Sequence, residues 1–273
     1  MKKYLRLFLL VVISILVFSS MCYASSIDEV EPNGTFDQAH NIGSWSEYNT
    51  VYGSIPSIDD TDIFKFSAYS GDRLAVRLNG IEAGNNFDLY LLNSNFEVIG
   101  QSERANNANE IVRYDVPSTG SYYILVIPLS TDGYANDVYY LTFYNRIKTG
   151  SYTATLSPTS ISRQGSGTLS STATVNLTNN TAVPTGATVR SVQAQGTISP
   201  TLGNTFRQVL NSAENVWHTS NQGGTSFTDI TIDDQLPVKT SWSVRFYSLA
   251  TLKSTWSSPK LNISYEYDQT LSW

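Results

Sequence analysis

The stretch Gly53-Ser54-Ile55-Pro56-Ser57-Ile58-Asp59-Asp60-Thr61-Asp62-Ile63-Phe64-Lys65-Phe66-Ser67-Ala68 changes character halfway along. In its second half Phe64, Phe66 and Ala68 share one parity and Lys65 and Ser67 the other, which is the period of a half-buried β-strand. The same alternation returns at Leu74, Val76 and Leu78, at Phe87, Leu89 and Leu91, at Tyr123, Leu125 and Ile127 after the turn Ser118-Thr119-Gly120, and at Tyr139, Leu141 and Phe143. Short alternating runs divided by Gly, Asn, Asp and Pro, with no long helical period among them, predict an antiparallel β-sandwich.

The part of that stretch before Phe64 carries Asp59, Asp60 and Asp62 with no base before Lys65, and the N-terminal stretch Asp28-Glu29-Val30-Glu31-Pro32-Asn33-Gly34-Thr35 is likewise acidic with no base. Like charges so close repel when dry and unpaired. A hard divalent cation removes the conflict, and calcium takes about 6–8 oxygen ligands from carboxylates, amides and carbonyls. Glu29, Glu31 and Asn33 precede the first strand, and Asp59 and Asp62 lie in the loop entering the Phe64 strand. A shared metal would pin the N-terminal segment to that loop.

These residues also carry a resemblance. Glu-x-Glu-Pro-Asn, then Gly-x-Ile, then Asp-Asp-x-Asp-x-Phe-x-Phe resembles the bacterial pre-peptidase C-terminal domain, which is similar to the collagen-binding domains of clostridial collagenases. Phe87-Asp88-Leu89-Tyr90-Leu91-Leu92, Glu110 to Tyr114, Gly120 to Val126 and Tyr139 to Thr142 continue it, over roughly residues 27–145. The resemblance implies calcium held by Glu29, Glu31, Asn33, Asp59 and Asp62 through side chains and by Ser54 through its carbonyl. It departs at Gly34, where the family often has Asp. In the collagen-binding relatives aromatic residues on a sheet face touch the ligand, which makes Tyr122, Tyr123, Tyr139 and Tyr140 candidates for contact with an extracellular polymer. Asp88, on the polar parity of its strand, is expected to face solvent.

Lys2, Lys3 and Arg6 precede an apolar run from Leu5 to Phe18, and Ala24 offers a small residue for cleavage. This reads as a signal peptide over residues 1–24, shorter than the ~20 apolar residues of a membrane span, so the protein is expected to be secreted, with no stable membrane insertion after cleavage. Cys22 is the only cysteine, and cleavage leaves neither a disulfide nor a thiolate site. Residues 25–147 hold 17 acidic and six basic residues, net −11, whereas residues 148–273 hold six acidic and eight basic, net +2. Two units of different character follow, 25–147 and 148–273, and the acidic one argues against nucleic acid, which requires a basic footprint.

The second unit is rich in Ser, Thr, Asn and Gln. Alternation at Leu169 to Leu177, at Trp242, Val244 and Phe246, and at Leu261, Ile263, Tyr265 and Tyr267 predicts a jelly-roll-like sandwich of about eight strands, with a short helix over Phe206 to Val216. The fold class is thus all-β, two sandwiches after a signal peptide. Trp217, Trp242, Trp256 and Trp273 lie in this unit, where exposed rings would suit sugar stacking, and Asp229, Asp233 and Asp234 are candidates for a second cation. The only histidines of the chain are His40 and His218, one in each unit; there is no Gly-x-Ser-x-Gly elbow, zinc motif or phosphate loop. The expected function is a secreted, non-catalytic calcium-binding module that targets a collagen-like protein or a polysaccharide. The alternatives are a hydrolase with a site in residues 150–273 and a structural cell-surface component.

Overall fold

The computed structural model describes residues 25–47, 50–130, 138–200, 205–220, 228–232 and 235–273. The expected signal peptide, Asp233, Asp234 and the side chain of Asp229 lie outside the described residues. The chain divides into two compact units between Asn145 and Arg146, and both are built of strands.

The first unit contains β1 (Ser26–Asp28), β2 (His40–Ser44), β3 (Thr50–Ser54), β4 (Asp62–Ala68), β5 (Arg73–Asn79), β6 (Asn86–Leu92), β7 (Val98–Ser102), β8 (Glu110–Asp115), β9 (Gly120–Ser130) and β10 (Val138–Asn145). One sheet runs β1-β3-β10-β5-β8 and the other β2-β4-β9-β6-β7. The pairing is antiparallel except for the two N-terminal additions, β1 on β3 and β2 on β4, which are parallel. Phe64, Phe66, Leu74, Val76, Leu78, Phe87, Leu89, Leu91, Tyr139 and Leu141 are all buried between the sheets, each large apolar side chain contributing about 1.5–3 kcal/mol.

The expected parity fails in β9. The register pairs Phe64 with Ile124 and Phe66 with Tyr122, so Tyr122, Ile124 and Val126 face the core. Tyr123 and Leu125 face outward, into a small cluster with Phe36, Ala39 and Ile63. A central strand covered on both faces has apolar residues at both parities, and alternation then carries no sign.

The second unit contains β11 (Ile147–Thr155), β12 (Ser160–Arg163), β13 (Ala173–Asn176), β14 (Thr188–Ser199), β15 (Thr205–Asn211), β16 (Val216–Thr219), β17 (Thr228–Ile230), β18 (Ser241–Ser248) and β19 (Ser254–Asp268). Its sheets run β11-β19-β14-β17, with β12 also on β19, and β13-β18-β15-β16. Trp242, Trp256, Val244, Phe246, Leu261 and Ile263 form the core. The helix expected over Phe206 to Val216 is instead the β15–β16 hairpin: the Asn215 N–H returns to the Asn211 carbonyl at 2.8 Å, with Asn215 at φ 60. Asn tolerates that left-handed conformation. Trp256 is buried completely, with its ring N–H on the Gln195 carbonyl, and offers no surface to a sugar.

Candidate metal centre

Past the end of β1 the chain keeps to the flank of β3, where the Glu29 N–H donates to the Tyr52 carbonyl at 2.8 Å. This brings the Glu29 carboxylate to Ser54, whose backbone N–H and Oγ donate to Oε1 at 2.6 and 2.9 Å. Two residues on, Glu31 Oε2 accepts the Asn33 N–H at 2.8 Å, and Asn33 Nδ2 donates to Glu29 Oε2 at 3.3 Å. The Asn33 carbonyl in turn accepts the Ile63 N–H at 3.2 Å. The N-terminal segment is thereby fastened to the start of β4, where Asp62 stands.

Asp62 is fully buried, and its Oδ2 accepts a 2.6 Å hydrogen bond from the hydroxyl of Tyr139, also fully buried, on β10. Tyr139 reaches it because its cross-strand partner is Gly53: a Cβ there would stand 2.4 Å from the Tyr139 ring and 3.0 Å from Glu29 Oε2. A glycine inside a strand marks such a close approach. Gly34 is similarly crowded, its Cβ position lying 3.2 Å from the Thr61 carbonyl.

Carboxylate oxygens of Glu29, Glu31 and Asp62 lie within 4.8 Å of one another, the spread that oxygens 2.3–2.6 Å from one calcium ion would have. Burial pushes the Asp62 carboxyl up to about 8; the charges of Glu29, Asp60 and Glu31 push the same way, against the Tyr139 hydrogen bond. Burial also raises Glu29, against the bonds from Ser54, with the charge of Glu31 adding to the rise. Two buried oxygens here, Asn33 Oδ1 and Asp62 Oδ1, have no hydrogen-bond partner. Such orphaned acceptors are uncommon in folded proteins and expensive to leave unmade. An all-oxygen donor set with two vacant, buried acceptors fits a hard cation.

Of the residues expected to share the metal, the structure gathers Glu29, Glu31, Asn33 and Asp62. Ser54 stands beside them and orients Glu29 through its N–H and Oγ. Asp59 stands apart: the Asp60 N–H closes a turn onto the Ser57 carbonyl at 3.2 Å, and this carries Ile58 and Asp59 to an exposed tip. Asp60 is close enough for its charge to act on Asp62.

The tyrosines separate likewise. Tyr139 lies in the core; Tyr122 packs on Phe66 and donates to the Ser118 carbonyl at 2.7 Å; Tyr123 is covered by Phe36 and Phe96. Only Tyr140 of the four is well exposed, at 39%, beside its cross-strand partner Tyr52. His218 Nε2 meets Glu214 at 2.7 Å and His40 Nδ1 has no partner, so neither ring is hydrogen-bonded to a serine among the described residues. No helix among those residues is long and apolar enough to cross a membrane.

The family model of the bacterial pre-peptidase C-terminal domain matches residues 60–128, which are such a domain. Glu29, Glu31, Asn33 and Tyr139 fall outside the matched range. Over its full length the chain is 30% identical to the uncharacterized protein YbdN of Bacillus subtilis (strain 168), with 98% of each covered, and it belongs to the family of that protein. Among solved structures it is similar to the pre-peptidase C-terminal domain of a collagenase from Bacillus anthracis, at 19% identity and a TM-score of 0.32, covering 42% of this chain and 100% of that one. A putative secreted protein from Eubacterium rectale is 10% identical with a TM-score of 0.36, covering 86% and 80%.

Proposed function

We propose that the protein is a secreted, non-catalytic module that binds calcium at Glu29, Glu31, Asn33 and Asp62 and attaches to an extracellular polymer, a collagen-like protein or a polysaccharide. The observation that carries the calcium reading is the pair of buried, unpartnered oxygens, Asn33 Oδ1 and Asp62 Oδ1, beside three carboxylates. Bound calcium would supply positive charge that compensates these groups. The chain's own residues do the rest: Ser54 fixes the Glu29 carboxylate, the Tyr139 hydroxyl fixes one Asp62 oxygen and leaves the other free, and Asn33 ties the N-terminal segment to β4.

The polymer reading draws on the signal-peptide pattern and on the exposed pair Tyr52 and Tyr140, whose amphipathic rings suit contact surfaces. Gly80, at φ +77, makes room for the Tyr140 ring, with a Cβ position 2.8 Å from it.

Calcium titration calorimetry tests the site. Asp62→Asn should lose most of the binding, Asp60→Asn should weaken it modestly by removing a neighbouring charge, and Asp59→Asn should have the smallest effect. Asp62→Asn titrating like the parent protein would sink the assignment. Pull-down on collagen and on insoluble polysaccharides, with Tyr140→Ala as control, tests the polymer: no retention on either class overturns it.

A further inference from the structure

Asp88 does not face solvent. It lies on the outer face of β6 and is only 3% exposed. Leu89 pairs with Ser102 in the β6–β7 register, so the residue across from Asp88 is Glu103, at the end of β7. Like charges directly opposed across strands destabilise a sheet. The Tyr90 hydroxyl, two residues along the same face, donates to Glu103 Oε1 at 2.6 Å and also lies within reach of Asp88. One O–H serves one carboxylate at a time. Asp88 Oδ1 is left buried with no partner, and so is Asn86 Oδ1 at the start of β6, where the pairing with β9 is irregular. Glu110, fully buried at the start of β8, adds a third negative charge near Asp88; its own oxygens are taken by the Ser102 hydroxyl and the Arg104 N–H. Among the described residues none of the three carboxylates has a salt bridge, and the Arg104 guanidinium donates to the Asn109 carbonyl instead.

Two features are shared with the Asp62 group, a buried aspartate with one unpartnered oxygen and an asparagine with an unpartnered amide oxygen, although among the described residues only Glu29, Glu31 and Asp62 bring three carboxylates within 4.8 Å of one another. We propose a second divalent-cation site on the outer face of β6 and β7, with Asp88 Oδ1, Asn86 Oδ1 and Glu103 Oε2 as ligands and Glu110 as a compensating charge. Its chemistry, hard oxygens alone, selects calcium over softer metals. It shares no residue with the Glu29–Asp62 group and stands or falls separately.

The test is calcium titration of the full chain with one variant for each site. Asp62→Asn should retain the binding step that belongs to Asp88. Asp88→Asn should lose that step and keep the one lost in Asp62→Asn. Glu103→Gln, an exposed change that cannot disturb the core, should weaken the same step roughly tenfold or more. Wild-type stoichiometry and affinity in Glu103→Gln and in folded Asp88→Asn would overturn the second site and leave the first intact. A folded Asp62→Asn variant that binds no calcium would overturn it as well.

Discussion

At the scale of single residues the first site turns on Asp62, Tyr139 and Gly53. Tyr139 is far in sequence from the other two and is joined to them by the β3–β10 register and one 2.6 Å hydrogen bond. Gly53→Ala would drive a methyl group into the Tyr139 ring and against Glu29. Overpacking of this kind costs about 1–3 kcal/mol, and urea unfolding should show a lower midpoint; an unchanged midpoint would mean that the ring yields freely. A pH dependence follows from Asp62, whose carboxyl is moved from 3.8 to about 8 by burial first and by neighbouring carboxylates second. Between those values the native state without metal holds a proton that the unfolded chain has released, so its stability falls as pH rises from about 4 to about 8. In chelator, urea unfolding across that window should show the decline, and Asp62→Asn should flatten it. Identical slopes for the two proteins would remove Asp62 as the cause. The acidic clusters themselves were legible in the sequence. Tyr139 as an internal donor was not, since a tyrosine in an alternating run reads equally well as core or as surface.

Among elements, the segment from Glu29 to Asn33 is the one that the proposed metal would hold most directly. It has no strand of its own and is held by Glu29 on Tyr52 and Ser54 and by Asn33 on Ile63. Three carboxylates gathered this closely repel one another, and so the segment from β4, when no cation is present. Limited proteolysis should therefore cut near Glu29 to Thr35 in chelator and be suppressed by calcium; equal cutting in both conditions would show that hydrogen bonds alone retain it. The strands were readable wherever one face is core and the other solvent, as in β4 and β18. They were misread in β9, apolar at both parities, and at the β15–β16 hairpin, where the left-handed Asn215 makes a turn that periodicity does not mark.

The whole molecule is two units with separate cores, one strongly acidic and one nearly neutral. Calcium bound only by the native first unit adds RT ln(1 + [L]/Kd), about 2.7 kcal/mol at a hundredfold excess. Scanning calorimetry should show a calcium-dependent transition for that unit and a calcium-independent one for residues 146–273. An equal shift of both transitions would mean that the units unfold together.

The sequence by itself determined the all-β class, the change of character near residue 147, and the presence of acidic, oxygen-rich stretches, because strand period, composition and local charge are properties of neighbours along the chain. Tertiary structure alone decided which acids meet. Asp59 sits three residues from Asp62, yet a turn carries it out to solvent, while Glu29 arrives from 33 residues away along the edge of β3. It also decided that Asp88, on the polar parity of its strand, is buried with its Oδ1 unpartnered. Alternation says which side of a sheet a residue faces; only packing between elements determines whether that side is dry.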